Sequence, residues 1–123
     1  MIGWLCTSVT PYYDVKSGQR SFKERPVLII GEADSQDYAA LPVSRVTKDK
    51  YLHPLYDIQV IPDAFPLTKL KETSYVRTHK QTVINVHAIT AHVCDLRSVY
   101  PELYLSIVTR LEEYNSRLFS QIL

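Results

Sequence analysis

No charge of one sign dominates this chain of 123 residues: 14 lysines and arginines stand against 13 aspartates and glutamates, a formal net charge of +1. A global attraction to polyanions is therefore not its organising feature. Cysteine is nearly absent. Cys6 and Cys94 are the only two and lie far apart in a sequence whose apolar opening carries no basic n-region, so two reduced thiols are expected rather than a disulfide framework. Neither the two cysteines nor the four histidines form a close pair, so no zinc site is expected, and no cofactor. No apolar run approaches the roughly 20 residues that cross a bilayer. With no internal repeat, linker or low-complexity segment either, the expectation is one domain over residues 1–123, cytoplasmic and without membrane contact.

What is present reads as mostly strand. Ile2 to Thr10 alternates in the manner of a strand, which Pro11 is expected to end. A long loop is then expected from about Tyr12 to Glu24, and loops of that length in small domains are usually functional or disordered. Pro26 to Gly31 is a buried strand, and Tyr38 to Val46 a third. Tyr56, Ile58 and Val60 alternate with Asp57 and Gln59, a half-buried strand signal. Ser74 to Val83 reads as a further strand on which Tyr75, Arg77, His79 and Gln81 share one face. Val86 to Val93 is apolar and fits either a strand or a short helix. From Pro101 the period changes: Leu103, Ile107, Leu111, Tyr114 and Leu118 recur every three or four residues, with Pro101 suited to a first helical position and Glu102 to the positive helix end. The expected fold is α+β and mainly β, a small, strongly bent antiparallel sheet or barrel packed by a C-terminal amphipathic helix.

Charge is local where it is not global. Residues 16–25 hold Lys16, Arg20, Lys23 and Arg25 against Glu24, and residues 69–80 hold Lys69, Lys71, Arg77 and Lys80 against Glu72. Basic loops on a neutral body suit a groove that meets phosphates, though solvated lysine-rich loops would look the same. In the first of these stretches, Lys23-Glu24-Arg25 runs through Pro26 directly into Val27-Leu28-Ile29-Ile30. The order places one arginine at the mouth of a buried strand.

At Arg25-Pro26-Val27-Leu28-Ile29-Ile30 the sequence resembles the PemK/MazF family of toxin ribonucleases from toxin–antitoxin pairs. Gly3 and its apolar surroundings are similar to that family's opening strand, Pro42-Val43-Ser44 to its second catalytic segment, Ser74-Tyr75-Val76-Arg77 to the strand that carries a further functional arginine, and Leu103 to Leu118 to its closing helix. The motifs are short, and their joint order along nearly the whole chain carries the resemblance. It implies an SH3-like barrel, a homodimer held in check by an antitoxin protein, and metal-independent, sequence-selective cleavage of single-stranded RNA. Two positions depart from the family pattern: Ser44 stands where threonine is common, and His79 stands where PemK-type members carry an aspartate proposed as base.

Such cleavage uses the RNA's own 2′-hydroxyl as nucleophile and leaves a 2′,3′-cyclic phosphate and a 5′-hydroxyl, so the protein must supply a base, an acid and donors for charge building on the phosphate. The resemblance implies Arg25, Ser44 and Arg77 for the catalytic set, and His79, at the departing position, completes it by its chemistry. Arg25 is suited to the phosphate because its planar fork holds two oxygens at once. Ser44 would donate its hydroxyl to the same phosphate, His79 would act as base near neutrality, and Arg77 would stabilise charge. Ser17, Gln19 and Arg20 in the expected loop, with Lys23 and Arg45, would contact substrate. Tyr12 and Tyr13 are of a type that stacks on bases, but with nine tyrosines in the chain, core or interface packing is the default for each. Taken singly, a strand-end serine also reads as a turn residue and a strand histidine as a structural one. Two other functions stay open on the same fold: a non-catalytic CcdB-like gyrase poison, and an inactive nucleic-acid-binding relative.

Overall fold

A computed structural model of the chain describes residues 1–14 and 16–123, with the side chains of residues 10–14 outside the description. The fold is mainly β, a strongly curled antiparallel half-barrel closed by a C-terminal helix. The described residues form seven strands in order: β1 (Trp4–Asp14), β2 (Gln19–Asp34), β3 (Asp37–Ser44), β4 (Asp57–Val60), β5 (Ser74–Arg77), β6 (Thr82–Asn85) and β7 (Ile89–Asp95). Two helices end the chain, the four-residue α1 (Leu96–Val99) and α2 (Pro101–Ile122). The sheet runs β4-β5-β3-β2-β1-β7, with β6 also pairing with β3.

The segment expected as a long loop is instead a β-hairpin arm. β1 continues to Asp14 and β2 starts at Gln19, and the two pair without interruption from Leu5↔Leu28 to Asp14↔Gln19. Only a short tip that includes Lys16, Ser17 and Gly18 (φ +69°) remains as turn. Pro11 does not end the strand. β7 pairs with β1 no further than Ser8, so Pro11 lies where one edge of β1 is open and a missing N–H breaks no ladder.

β2 is buried on both faces at its centre, which explains the unbroken Val27–Ile30 run. Leu28 faces one core with Leu5, Leu41, Val43, Val60, Val76, Leu96, Leu103 and Ile107. Val27 and Ile29 face a second core with Cys6 and Ala40, ringed by Trp4, Tyr38, Ile84 and Ile89. Cys94 joins the first core and Cys6 the second, and both thiols are free and buried, as expected. Burial pushes the Cys6 thiol up to about 11, so it stays protonated.

The expected strand over Ser74–Val83 divides into β5 and β6, which sit side by side along one edge of β3. β5 pairs at Val43↔Val76 and Ser44↔Tyr75, and β6 at Asp37↔Asn85 through Ala40↔Thr82. Between them the chain turns, with Lys80 N–H bonded to the Arg77 carbonyl at 3.1 Å. Residues 86–93 are both things the sequence allowed, a single 3-10 turn at Val86–Ala88 followed by β7. α2 starts at Pro101, as its cap signals indicate, and buries Leu103 and Ile107, each contributing on the order of 1.5–3 kcal/mol. Leu118 is exposed along with Phe119, Ile122 and Leu123, because the helix runs on past the sheet it packs against.

Two prolines decide where the site lies. The β2–β3 ladder stops at Val27↔Pro42. Beyond that pair, β2 carries Pro26 and pairs only with β1, whereas β3 carries Val43 and Ser44 across to β5. Neither proline has an N–H to extend the ladder, so the two strands part and the sheet forks. Arg25 stands just past the fork on one branch and Ser44 on the other.

Candidate functional site

The fork holds two concavities, and Arg25 and Ser44 line both. The larger, about 730 Å³, opens on the first-core face and is bounded by Lys23, Glu24, Arg45, Lys69, Lys71 and Glu72 among others. The smaller, about 650 Å³, lies on the opposite face, with Ser8, Val27, Pro42, Thr82, Ile84 and Ala88 in its wall. Strand alternation accounts for the division. Ser8, Arg25 and Val27 project to one side of the β1–β2 arm, while Thr7, Glu24 and Pro26 project to the other.

Arg25 is exposed and makes no hydrogen bond or ion pair with any described residue. Its guanidinium is therefore available for a ligand. Ser44 is half-buried at the end of β3, and its hydroxyl likewise has no recorded hydrogen bond among the described residues. Arg45 behaves differently, being paired to Glu72 at 2.7 Å with both side chains well exposed, a contact worth little on its own. Lys69 holds φ +60°, the one non-glycine in the left-handed region among the described residues, at the lip of the larger cleft.

Ser17 and Gln19 sit at the hairpin tip, with Gln19 N–H 3.4 Å from Ser17 Oγ, and Arg20 and Lys23 follow along β2 toward Arg25. Of the substrate residues expected in a loop, Ser17 stays in the turn, while Gln19, Arg20 and Lys23 are arrayed on β2. Tyr12 and Tyr13 belong to β1, but their side chains lie outside the described residues.

Arg77 and His79 do come together, but through the turn that follows β5 rather than along one strand face, and they line neither cavity. Both converge on Asp57, which β4 places opposite Arg77 in the register and whose side chain is only 1% exposed. Arg77 Nε donates to Asp57 Oδ1 at 3.1 Å and Nη2 to Oδ2 at 3.4 Å, while Nη2 also reaches the Tyr51 carbonyl at 3.1 Å. Asp57 Oδ2 takes a further bond from His53 N–H at 2.8 Å. The carboxylate is therefore satisfied without His79, whose Nδ1 stands 3.6 Å from Oδ1, beyond hydrogen-bond reach.

His79 is packed rather than presented. Its side chain is 11% exposed, and its ring lies 5.1 Å from that of His53 and 6.3 Å from that of Tyr114 on α2. His53 in turn accepts the Leu55 and Tyr56 N–H groups at Nδ1 and packs on Tyr56 at 4.7 Å. Burial lowers the pKa of His79, and Arg77 adds to the fall, against an opposing pull from Asp57. The neutral form is favoured, inside a cluster that joins β4, the β5–β6 turn and α2.

Sequence reasoning did not single out three residues that this geometry brings forward. Asp57 was visible only as a polar position in an alternating strand, and its burial depends on the β4–β5 register. Glu24 lines the larger cleft beside Arg25 because β2 extends well before Pro26. Ser8 is 1% exposed with its hydroxyl unpartnered, at the floor of the smaller cavity. Among the described residues no three His, Cys, Asp or Glu side chains gather in a way that could hold a metal ion, and no helix is long and apolar enough to cross a membrane. No family model matches the chain, and no curated protein matches it.

Proposed function

We propose that the larger cleft binds the backbone of single-stranded RNA and cleaves it by attack of the substrate's 2′-hydroxyl. The observation that carries this reading is an uncommitted guanidinium and an uncommitted hydroxyl, Arg25 and Ser44, lining one cleft whose rim adds Lys23, Lys69 and Lys71. Arg25 holds two non-bridging oxygens of the scissile phosphate and meets the charge that builds there, and Ser44 donates to the same group. The 2′-oxygen bonds to phosphorus as the bond from phosphorus to the 5′-oxygen breaks, giving a 2′,3′-cyclic phosphate and, with a proton taken from water in the open cleft, a 5′-hydroxyl.

The base that removes the 2′-hydroxyl proton must reach the reacting atoms. Glu24 lines the cleft and has no recorded partner among the described residues, whereas His79 is packed away from it. We therefore give the base role to Glu24, and to Arg77 and His79 the holding of the wall formed by β4, β5 and α2. In this reading the protein is a toxin of a toxin–antitoxin pair, acting as a homodimer, with its cleft covered by an antitoxin when silent. The exposed Leu118, Phe119, Ile122 and Leu123 at the end of α2 support a protein partner of one kind or the other.

The test incubates purified protein with several unrelated long single-stranded RNAs in excess chelator and identifies the product ends. Cyclic-phosphate ends are expected, with the rate falling about 100- to 1000-fold in Arg25→Ala and about 100-fold in Glu24→Gln. Intact RNA throughout refutes the catalytic reading. If that RNA is nonetheless bound through Arg25, the chain is an RNA-binding relative without catalysis.

A further inference from the structure

The smaller cavity has a different chemistry from the larger. Among the described residues Arg25 is its only charged lining residue, set at the mouth, and the rest of the described wall is apolar or uncharged: Val27, Pro42, Ile84 and Thr82, with Ser8 at the floor. The cavity rests on the second core, so its apolar side is firmly backed. A volume of about 650 Å³ falls within the usual range for small-molecule sites.

Ser8 is the feature that asks for a ligand. Its hydroxyl is buried and has no partner, a condition that native structures rarely tolerate. Its placement is specific. The β1–β7 ladder shifts register between Thr7↔Ala91 and Ser8↔Ile89, leaving Thr90 as the extra residue. Thr90 binds back onto Thr7, with Oγ1 atoms 2.7 Å apart and a second bond to the Thr7 carbonyl at 3.3 Å. A bulge of this kind re-aims the residues beside it, and here the neighbour is Ser8, on the same face as Arg25.

We infer that this cavity is a nucleobase pocket: the base next to the phosphate held by Arg25 turns away from the basic cleft, packs between Pro42 and Ile84, and offers an edge group to Ser8. The inference rests on the RNA reading above and adds where base selectivity resides. A guanidinium at the mouth of an apolar slot, with Lys23, Lys69 and Lys71 lining the other cleft, matches the division of a nucleotide into charged backbone and flat apolar base. An apolar segment of a protein partner has no use for the arginine at that place.

The test measures binding by fluorescence anisotropy with 2′-O-methyl homopolymers of each base and with an abasic oligomer of equal length. Wild-type protein should bind its preferred base at least about tenfold tighter than the abasic chain. Ala88→Phe fills the pocket from a half-buried position on the 3-10 turn and should reduce binding of every base to the abasic level, with abasic affinity unchanged. Ser8→Ala, which removes an unpartnered hydroxyl and keeps the fold, should alter the order among bases by roughly two- to tenfold. The pocket is refuted if wild-type protein binds abasic and base-bearing chains alike, or if both variants keep the wild-type pattern. Failure of wild-type protein to bind any of these oligomers would instead sink the RNA reading itself.

Discussion

Replacing Asp57 with alanine separates a structural cluster from a catalytic one. The carboxylate takes two bonds from Arg77 and one from His53 N–H, and its side chain is 1% exposed. Bonds to a charged group contribute about 1.5–3 kcal/mol each. Arg77 keeps its bond to the Tyr51 carbonyl and is 21% exposed, which softens its share. The loss should come to about 3–5 kcal/mol, the usual range when one partner of a buried pair is removed. For a domain of this size that is a melting temperature lower by roughly 10–20 °C, read by circular dichroism. Asp57→Asn keeps one acceptor and should lose about half as much. If Asp57→Ala melts within about 2 °C of wild type, the cluster does not hold β4 to β5 as described. The second arm is kinetic: Asp57→Asn, assayed well below its melting point, should cleave RNA near the wild-type rate, since none of the cluster lines the cleft.

Two further outcomes follow from single residues. Because burial holds the pKa of His79 below its unfolded value of about 6.5, its contribution to stability is full above pH 6.5 and is lost as pH falls from there through the folded pKa; the urea midpoint should drop over that window in wild type and drop less in His79→Gln. Gly3 has φ +90°, and a β-carbon there would sit 2.7 Å from Arg97 Cβ, so Gly3→Ala should cost on the order of 1–3 kcal/mol in chemical denaturation, with the Arg97 N–H to Gly3 carbonyl bond at 3.2 Å as the contact displaced.

Much of the architecture was legible because period and punctuation agreed. The doubly buried Val27–Ile30 run, the alternation at Tyr56–Val60 and the Pro101 start of the helix each follow from a local rule, and each is found. The failures are equally local. Pro11 reads as a stop, although an open strand edge tolerates it, and the polar residues from Tyr12 to Glu24 read as a loop, whereas they form an arm whose partner is the other half of itself. For the candidate site, Arg25 with Ser44 could be expected from the resemblance and Arg77 with His79 from strand alternation, although β5 ends at Arg77. That the two pairs occupy different places could not, because the parting of β2 from β3 and the β4–β5 register are tertiary facts.

The arm beyond the fork has one more consequence. Past Ser8 and Val27, no third strand among the described residues pairs with either β1 or β2, so the ribbon presents two raw backbone edges to any other chain. Natural ribbons of this kind resist edge-to-edge stacking with charge, lysine above all. Arg20, Lys23 and Arg25 are spaced along one of those edges. The cations that would grip a polyanion thus also disfavour edge-to-edge pairing along that strand, and a variant stripped of them should trade lost binding for a tendency to form fibres.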